Sequence, residues 1–152
     1  RSDGLWLKWP NDIYLNSGKL GGILVEKLAI GPRPFFVVGV GLNLQTPSQI
    51  KAAGLDQFSL NSSALLVDIL SDFAELLALE PKLLREKWTT AAGQFWRRTF
   101  KCLEVAGLNQ QKQEPSSIKP IGINEDGSLQ AREAGRVTRI VSATLSLEEE
   151  AI

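Results

Sequence analysis

The sequence predicts an α/β (α+β) fold, a mixed sheet covered by helices and followed by a small β-barrel. Three observations support this prediction. Short apolar runs separated by glycine and proline fill residues 5–45, an amphipathic pattern of helical period follows at 63–79, and short strand-like runs return towards the C-terminus. The change in period predicts two domains, 1–95 and 96–152, which meet within a junction at 94–99.

The charge and cysteine content exclude several classes of function. Lys+Arg and Asp+Glu both number 17, so the formal net charge is zero, which argues against non-specific binding to nucleic acid or to an anionic membrane. No apolar run reaches the ~18 residues of a membrane span. Cys102 is the single cysteine, so an internal disulfide and a multi-cysteine metal site are excluded. We expect a buried Cys102 and a reducing, cytoplasmic location.

The N-terminal strands are predicted to form a hairpin. A first strand at 5–7 ends before Pro10, which removes a ladder donor and fixes φ. Runs at 13–15 and 23–25 predict two further strands, and Asn-Ser-Gly at 16–18 supplies the turn between them. The hairpin would place residues 12 and 19 on neighbouring strands.

A further strand and two helices are predicted next. The turn at 31–34 precedes a strand at 35–40 that is apolar at nearly every position, which predicts burial on both faces. A helix at 63–79, capped by Asn61 or Ser62, presents one apolar face. That face consists of Leu65, Leu66, Ile69, Phe73, Leu76 and Leu77. A shorter helix starts at Pro81 and ends near Gly93, and both helices are expected to cover the sheet.

The C-terminal part reads as several short strands. They are predicted at 103–105, 118–123, 128–132 and 137–147, with a hairpin turn at 124–127. Short strands at this density are typical of a small SH3-like barrel, and they also fit many adaptor modules.

The residues that could bind a ligand or take part in catalysis cluster around the first hairpin. A break at Pro10 exposes Asn11 and Asp12 at a strand end, and Lys19 lies just past the bend. An ammonium group held there could stabilise developing negative charge. Gly21 lacks a Cβ, as do its neighbour Gly22 and the later Gly39 and Gly41, so a ligand could approach the backbone closely. The alternatives are a plain turn, a solvated lysine, and glycines that relieve crowding in a sheet.

Three motifs in this region resemble the catalytic core of biotin–protein ligases. They are Lys-Trp-Pro-Asn-Asp-Ile at 8–13, Gly-Lys-Leu-Gly-Gly-Ile-Leu-Val-Glu at 18–26, and Gly-Val-Gly-Leu-Asn-Leu at 39–44. The resemblance implies a class II synthetase-like catalytic domain and an SH3-like C-terminal domain. The Gly- and Arg-rich loop of that family precedes these motifs and does not occur here. We therefore expect the C-terminal half of a ligase, or a truncated chain.

The resemblance also implies roles for individual residues. Catalytic roles fall to Lys19, Asp12 and Asn11. Biotin binding falls to Lys19, Gly21, Gly22, Ile23, Leu24, Gly39 and Gly41. Nucleotide binding falls to Lys8, Trp9, Asn11 and Asn43. The Asn43 amide would face adenine, and Asn11 would help hold Mg²⁺ through phosphate.

The implied substrates are biotin and ATP with Mg²⁺, and the implied partner is the biotin carboxyl carrier domain of a carboxylase. Biotinyl-AMP would form first, and the biotinyl group would then pass to one carrier lysine. No membrane or nucleic-acid partner is expected for this chain, and a homodimer remains open. Two other functions remain in view: a non-catalytic module that binds biotin or its adenylate, and a lipoate or octanoate transferase.

Overall fold

The computed structural model describes residues 4–48, 51–105 and 115–148 of the 152-residue chain. The fold is α+β, and the chain divides into two units, Arg1–Leu79 and Glu80–Ile152. The first unit contains β1 (Leu5–Lys8), β2 (Asp12–Leu15), β3 (Gly18–Ile30), β4 (Arg33–Leu42) and α1 (Ser62–Leu77). The second contains α2 (Pro81–Ala91), a 3-10 helix (Phe95–Arg97), β5 (Phe100–Val105), β6 (Ser116–Ile123), β7 (Leu129–Glu133), β8 (Arg136–Ile140) and β9 (Ala143–Leu147).

The strands of the first unit form a sheet in the order β1-β2-β3-β4, with each neighbouring pair antiparallel. The predicted hairpin is confirmed. Its turn contains Asn16 in the left-handed region (φ 54°), a conformation that asparagine tolerates well. Among the described residues, parallel pairing is limited to the isolated bridge between Lys19 and Ala52. The cis Trp9–Pro10 peptide lies between β1 and β2, where the sequence predicts a break.

The core of the first unit is small and lies at the turn end of the hairpin. Leu15, Leu20 and Ala53 are buried together, and partly buried side chains pack against them. Trp6 is also buried; its ring stacks on Tyr14 at 4.6 Å, and its indole N–H donates to the Asn16 carbonyl at 2.8 Å. These contacts join β1, β2 and the start of β3.

Two predictions of burial in this unit are wrong. Every β4 residue from 33 to 41 is exposed, although the apolar run predicts burial on both faces. The α1 helix begins as predicted, with the Asn61 side chain accepting from two backbone N–H groups, but it contributes no buried residue. An apolar pattern indicates which face could be buried, whereas burial itself requires a neighbouring layer. The described residues of this unit supply no such layer for β4 or α1.

The second unit has an antiparallel sheet in the order β8-β7-β6-β5-β9. Phe95, Phe100, Ile118 and Leu129 are among the largest fully buried side chains in the described part of this unit, and Cys102 is buried as predicted. Phe95 lies inside the predicted junction at 94–99, and α2 belongs to this unit. The domain boundary proposed at 95/96 stays a prediction.

The strand predicted at 137–147 is two strands, β8 and β9, on opposite edges of the sheet. Two residues separate Ile140 from Ala143, so their Cα atoms lie within about 11 Å of each other. Opposite edges of a flat five-stranded sheet would be about 19 Å apart. The sheet must therefore curl strongly, which fits the predicted SH3-like barrel. The break between the two strands could not be predicted from the sequence, because no glycine or proline occurs between Ile140 and Ala143.

Among the described residues, no helix has both the length and the apolar character of a membrane-spanning segment.

Candidate active site

Three charged side chains meet where β1, β2 and β3 run side by side. Lys8 Nζ lies 2.7 Å from Asp12 Oδ2, and Lys19 Nζ lies 2.5 Å from Asp12 Oδ1. The exposed fractions of these side chains differ: 7% for Lys8, 15% for Asp12 and 50% for Lys19. The register explains the arrangement, because Lys8 pairs with Asp12 across β1 and β2 while β3 carries Lys19 alongside.

Asp12 is held in its ionised form. Burial alone would raise its pKa, but hydrogen bonds from Lys19 and Lys8, together with their charges, hold the pKa below its ordinary value of 3.8. Both carboxylate oxygens already accept from ammonium groups. Asp12 is therefore a weak base and an effective anchor for Lys19.

Asn11 fastens the end of β2 to β3. Its side-chain amide donates to the Ile23 carbonyl at 2.7 Å, and its own carbonyl accepts from the Ile23 N–H at 2.8 Å. These two bonds set the spacing beside Gly22, where an added Cβ would lie 3.3 Å from the Asn11 carbonyl oxygen. Asn11 thus shapes the floor of the site and keeps its side-chain oxygen available to a ligand.

A cleft of about 380 Å³ opens over this floor. Its lining residues are Asn11, Asp12, Lys19, Gly22, Ile23, Leu24, Gly39, Val40 and Gly41. The register pairs Gly22 with Gly41 and Leu24 with Gly39 across β3 and β4. A Cβ built on Gly39 or Gly41 would approach protein atoms no closer than 3.9 Å, so side chains there would project into open space. The backbone at Gly22, Gly39 and Gly41 therefore leaves space in which a ligand could bind.

Gly21 has a different function from the other glycines of the site. A Cβ at Gly21 would collide with the carbonyl oxygen of Gly41 on the adjacent strand. The residue lets β3 and β4 pair closely, and it lines a second cleft.

The second cleft, of about 740 Å³, also adjoins Lys19. It is lined by Tyr14, Lys19, Gly21, Gly22, Gly41, Leu42, Asn43, Pro47, Lys51 and Ala52. Lys19 therefore borders both clefts, with Asp12 on one side and Asn43 on the other. The two clefts together could hold an extended ligand whose anionic centre lies at Lys19.

Asn43 already uses its side-chain amide N–H groups within the protein. It donates to the Lys19 carbonyl at 3.2 Å and to the Ala53 carbonyl at 3.0 Å. Pairing with the N6 and N7 edge of adenine needs a donor and an acceptor, and in this arrangement Asn43 offers only its oxygen. Its observed contacts hold residues 19 and 53 together.

Two residues predicted to bind nucleotide line neither cleft. Lys8 lies behind Asp12, with its ammonium 5.7 Å from the centre of the Tyr14 ring. Trp9 is 4% exposed and packed inside the unit. The motif predicts which residues gather here, but it does not tell those that face a ligand from those that support them.

Sequence reasoning missed several lining residues. Tyr14 is opposite Lys19 in the register, so it could have been found from the hairpin. Lys51 and Ala52 reach the site through pairing of the main chain: the Lys19 N–H donates to the Lys51 carbonyl at 2.8 Å, and the Ala53 N–H donates to the Lys19 carbonyl at 3.0 Å. No sequence signal predicts that contact, and Lys51 has an unusual positive φ of 67°.

The described residues do not form a site for a resident Mg²⁺ ion. They contain no group of three or more His, Cys, Asp or Glu side chains placed to bind a metal. Asp12 is the carboxylate of the cleft, and both its oxygens are already bonded to ammonium groups. Mg²⁺ would have to arrive with a triphosphate, and Asn11 alone is a poor ligand set.

The sequence around this site is similar to that of known protein ligases. Residues 1–43 match the family model described as the biotin/lipoate A/B protein ligase family. A Mycobacterium tuberculosis protein named biotin–[acetyl-CoA-carboxylase] ligase is 51% identical over 45 residues, which are 29% of this chain and 15% of that protein. The resemblance to biotin–protein ligases is confirmed.

The fold likeness to biotin protein ligases extends over nearly the whole chain. The apo biotin protein ligase of Aquifex aeolicus matches with a TM-score of 0.71 and 22% identity, over 95% of this chain and 65% of that one. The same organism's ligase in complex with biotin and ATP matches with a TM-score of 0.68 and 21% identity, over 96% of this chain and 62% of that one. At this identity the likeness shows the fold. The chain spans less than two thirds of these ligases.

Proposed function

We propose that this chain carries the biotin-activating part of an ATP-dependent biotin–protein ligase. The observation that supports the proposal best is the position of Lys19, a half-exposed ammonium tethered to Asp12 above a floor of glycine backbone. A flat ring system can lie against such a floor while its carboxylate reaches the ammonium group.

The proposed first step joins biotin to AMP. A biotin carboxylate oxygen attacks the α-phosphorus of ATP, and the bond from that phosphorus to the bridging oxygen breaks as pyrophosphate leaves. Negative charge on the carboxylate and α-phosphate lies where Lys19 borders both clefts. The smaller cleft suits the ring system of biotin and the larger one the nucleotide.

The proposed second step passes the biotinyl group to a lysine amine of a carrier domain. The amine attacks the acyl carbon and AMP leaves. An amine of ordinary pKa, about 10.4, must lose a proton before it attacks. Because the pKa of Asp12 is lowered and both its oxygens are occupied, Asp12 suits orientation of Lys19 better than proton removal.

The matched relatives favour biotin over a lipoyl chain. The family model covers both kinds of ligase, and the Mycobacterium relative is named for biotin. The proposal includes a carboxylase carrier domain as partner, contact with that domain or with nucleotide through the C-terminal unit, and a cytoplasmic location.

Calorimetry with this chain tests the proposal. Biotin, biotinyl-AMP and lipoyl-AMP are titrated in turn into the wild-type chain and into a Gly41→Val variant, which fills the cleft. We expect binding of biotin and biotinyl-AMP, weak or no binding of lipoyl-AMP, and loss in the variant. Equal affinity for lipoyl-AMP would support the transferase function instead. No binding of any of the three would contradict the proposal.

Turnover separates a ligase from a non-catalytic binding module. The chain is incubated with biotin, MgATP and a purified carrier domain, and labelled pyrophosphate release is measured together with biotinylation of the carrier. Pyrophosphate release that depends on Lys19 supports catalysis. Tight binding of biotinyl-AMP without any turnover favours the binding module.

A further inference from the structure

Lys8 is the most deeply buried charged side chain beside the cleft, and its position needs an explanation. It is 7% exposed, whereas Lys19, on the other side of the same carboxylate, is 50% exposed. A buried ammonium group loses its hydration, so it persists only where a partner compensates. Asp12 is that partner at 2.7 Å, and the face of the Tyr14 ring lies 5.7 Å away.

The charges around Asp12 do not balance. Lys8 on β1 and Lys19 on β3 carry two ammonium groups, and Asp12 on β2 carries one carboxylate. Tyr14, on β2, has a pKa raised by burial and by the charge of Asp12, so its phenol stays neutral at ordinary pH. The group therefore keeps one positive charge in excess. Because Lys8 is buried and Lys19 is half-exposed, the excess positive charge is accessible to a ligand at Lys19, on the side of the cleft.

We propose that Lys8 is a positioning residue that neutralises Asp12, so that the charge of Lys19 remains available to an anionic group in the cleft. Without Lys8, Asp12 would have Lys19 as its remaining ammonium partner, and the pair would be neutral. The inference rests on the proposed function for the identity of the natural anion, a carboxylate or acyl phosphate. It replaces the nucleotide contact expected for Lys8 from sequence.

Two substitutions separate this role from simple support of the fold. Lys8→Met keeps the length of the side chain and removes its charge, so the site becomes neutral. Adding Asp12→Asn to that variant removes the negative charge, keeps a side-chain oxygen that can accept from Lys19, and restores the single excess positive charge. Lys8→Arg keeps the charge. A purely structural role for Lys8 predicts that the double variant is worse than Lys8→Met, whereas charge neutralisation predicts that it is better.

The experiment measures binding of three probes to the full chain and to the variants. Biotin is anionic, biotinamide is its neutral analogue, and inorganic pyrophosphate is an anion without a biotin ring. Calorimetry gives the affinities, and NMR shifts of the Lys19 side chain report where the anions bind. We expect Lys8→Met to lower the affinity for biotin and for pyrophosphate by about tenfold, which is the scale of one hydrogen bond to a charged group. Affinity for biotinamide should stay constant. The double variant and Lys8→Arg should regain the affinity for biotin and pyrophosphate that Lys8→Met loses.

Each outcome is decisive. Equal losses for biotin and biotinamide, no loss in Lys8→Met, or no recovery in the double variant would overturn the role of Lys8. Binding of biotin that does not depend on Lys8 would leave the proposed function standing without this inference. Binding of pyrophosphate that depends on Lys8, with no binding of biotin, would support the inference and refute the proposed function. If no anion shifts Lys19 in the wild-type chain, both are wrong.

Discussion

The two ends of the hairpin formed by β3 and β4 differ sharply, although they belong to the same strands. At the inner end, around residues 18–23 and 39–43, Asn11, Asn43 and the bridge to Ala52 fix the backbone, and Leu20 is buried. At the outer end, residues 24–38 have exposed side chains on both faces of the ribbon. The difference teaches that order at the site comes from local polar clamps and a small core, and not from the long apolar strands.

Lys19 should show the largest functional effect at the inner end. Lys19→Ala removes the ammonium that borders both clefts, so affinity for biotinyl-AMP should fall by up to about 10²-fold, the upper scale of one hydrogen bond to a charged group. Lys27→Ala, on the outer end of β3, is the matched control and should bind like wild type. Calorimetry on both variants makes the measurement. Near-normal affinity in Lys19→Ala would refute its assigned role.

Two leucines of β3 test the comparison through stability. Leu20 is 3% exposed and Leu24 is 60% exposed. Leu20→Ala should lower the free energy of unfolding by about 2–5 kcal/mol, because it removes packed methyl groups and leaves a cavity. Leu24→Ala should change it by less than about 0.5 kcal/mol. Urea unfolding measures both, and similar values for the two variants would mean that the outer end is buried in solution.

The glycines of the inner end should separate binding from folding. Gly41→Val adds a side chain in open space, so we expect at least about a tenfold loss of biotin affinity and an unchanged unfolding midpoint. Gly21→Ala collides with the Gly41 carbonyl, so its unfolding free energy should fall by about 1–3 kcal/mol. Ala29→Val, at an exposed position of the outer end, is the control for added volume. A stable Gly21→Ala chain would show that the two strands can separate at little cost.

The sequence predicts local elements well because their signals are local. The turn at Asn16, the Asn61 cap, Pro10 as a strand break, and the meeting of Asp12 with Lys19 all follow from neighbouring residues. Burial could not be predicted in the same way, since the apolar runs of β4 and α1 do not reveal whether another layer covers them. The sequence also does not show that the side chains of Lys8 and Trp9 lie away from the clefts, or that Lys51 lies beside Lys19. These positions depend on tertiary contacts, which no pattern in the sequence encodes.

Asn43 offers a smaller test of the inner clamps. Asn43→Ala removes the donors to the carbonyls of Lys19 and Ala53, and the unfolding free energy should fall by about 1–2 kcal/mol. A residue that served only to contact adenine would leave stability unchanged. Gln45→Ala, in the same loop and exposed, is the matched control. Thermal or urea unfolding without any ligand is the measurement, and unchanged stability would return Asn43 to a role in nucleotide contact alone.

The smallest expected effect is on stability and concerns a polar turn in the second unit. Its dependence on pH follows from the pKa of Asp126. Hydrogen bonds from the Ser128 side chain and backbone, together with Arg139, lower the pKa of Asp126 from 3.8 to about 2. A carboxyl group whose pKa is lower in the folded state stabilises the fold above its unfolded value, near pH 4, and this stabilisation is lost as the pH falls towards 2. Wild type should therefore have a slightly higher melting temperature than Asp126→Asn at pH 6, and the gap should close as the pH falls to 2. Because the turn is exposed, added salt should narrow the gap at pH 6. A gap that is the same at both pH values would mean that Asp126 acts through its shape and not through its charge.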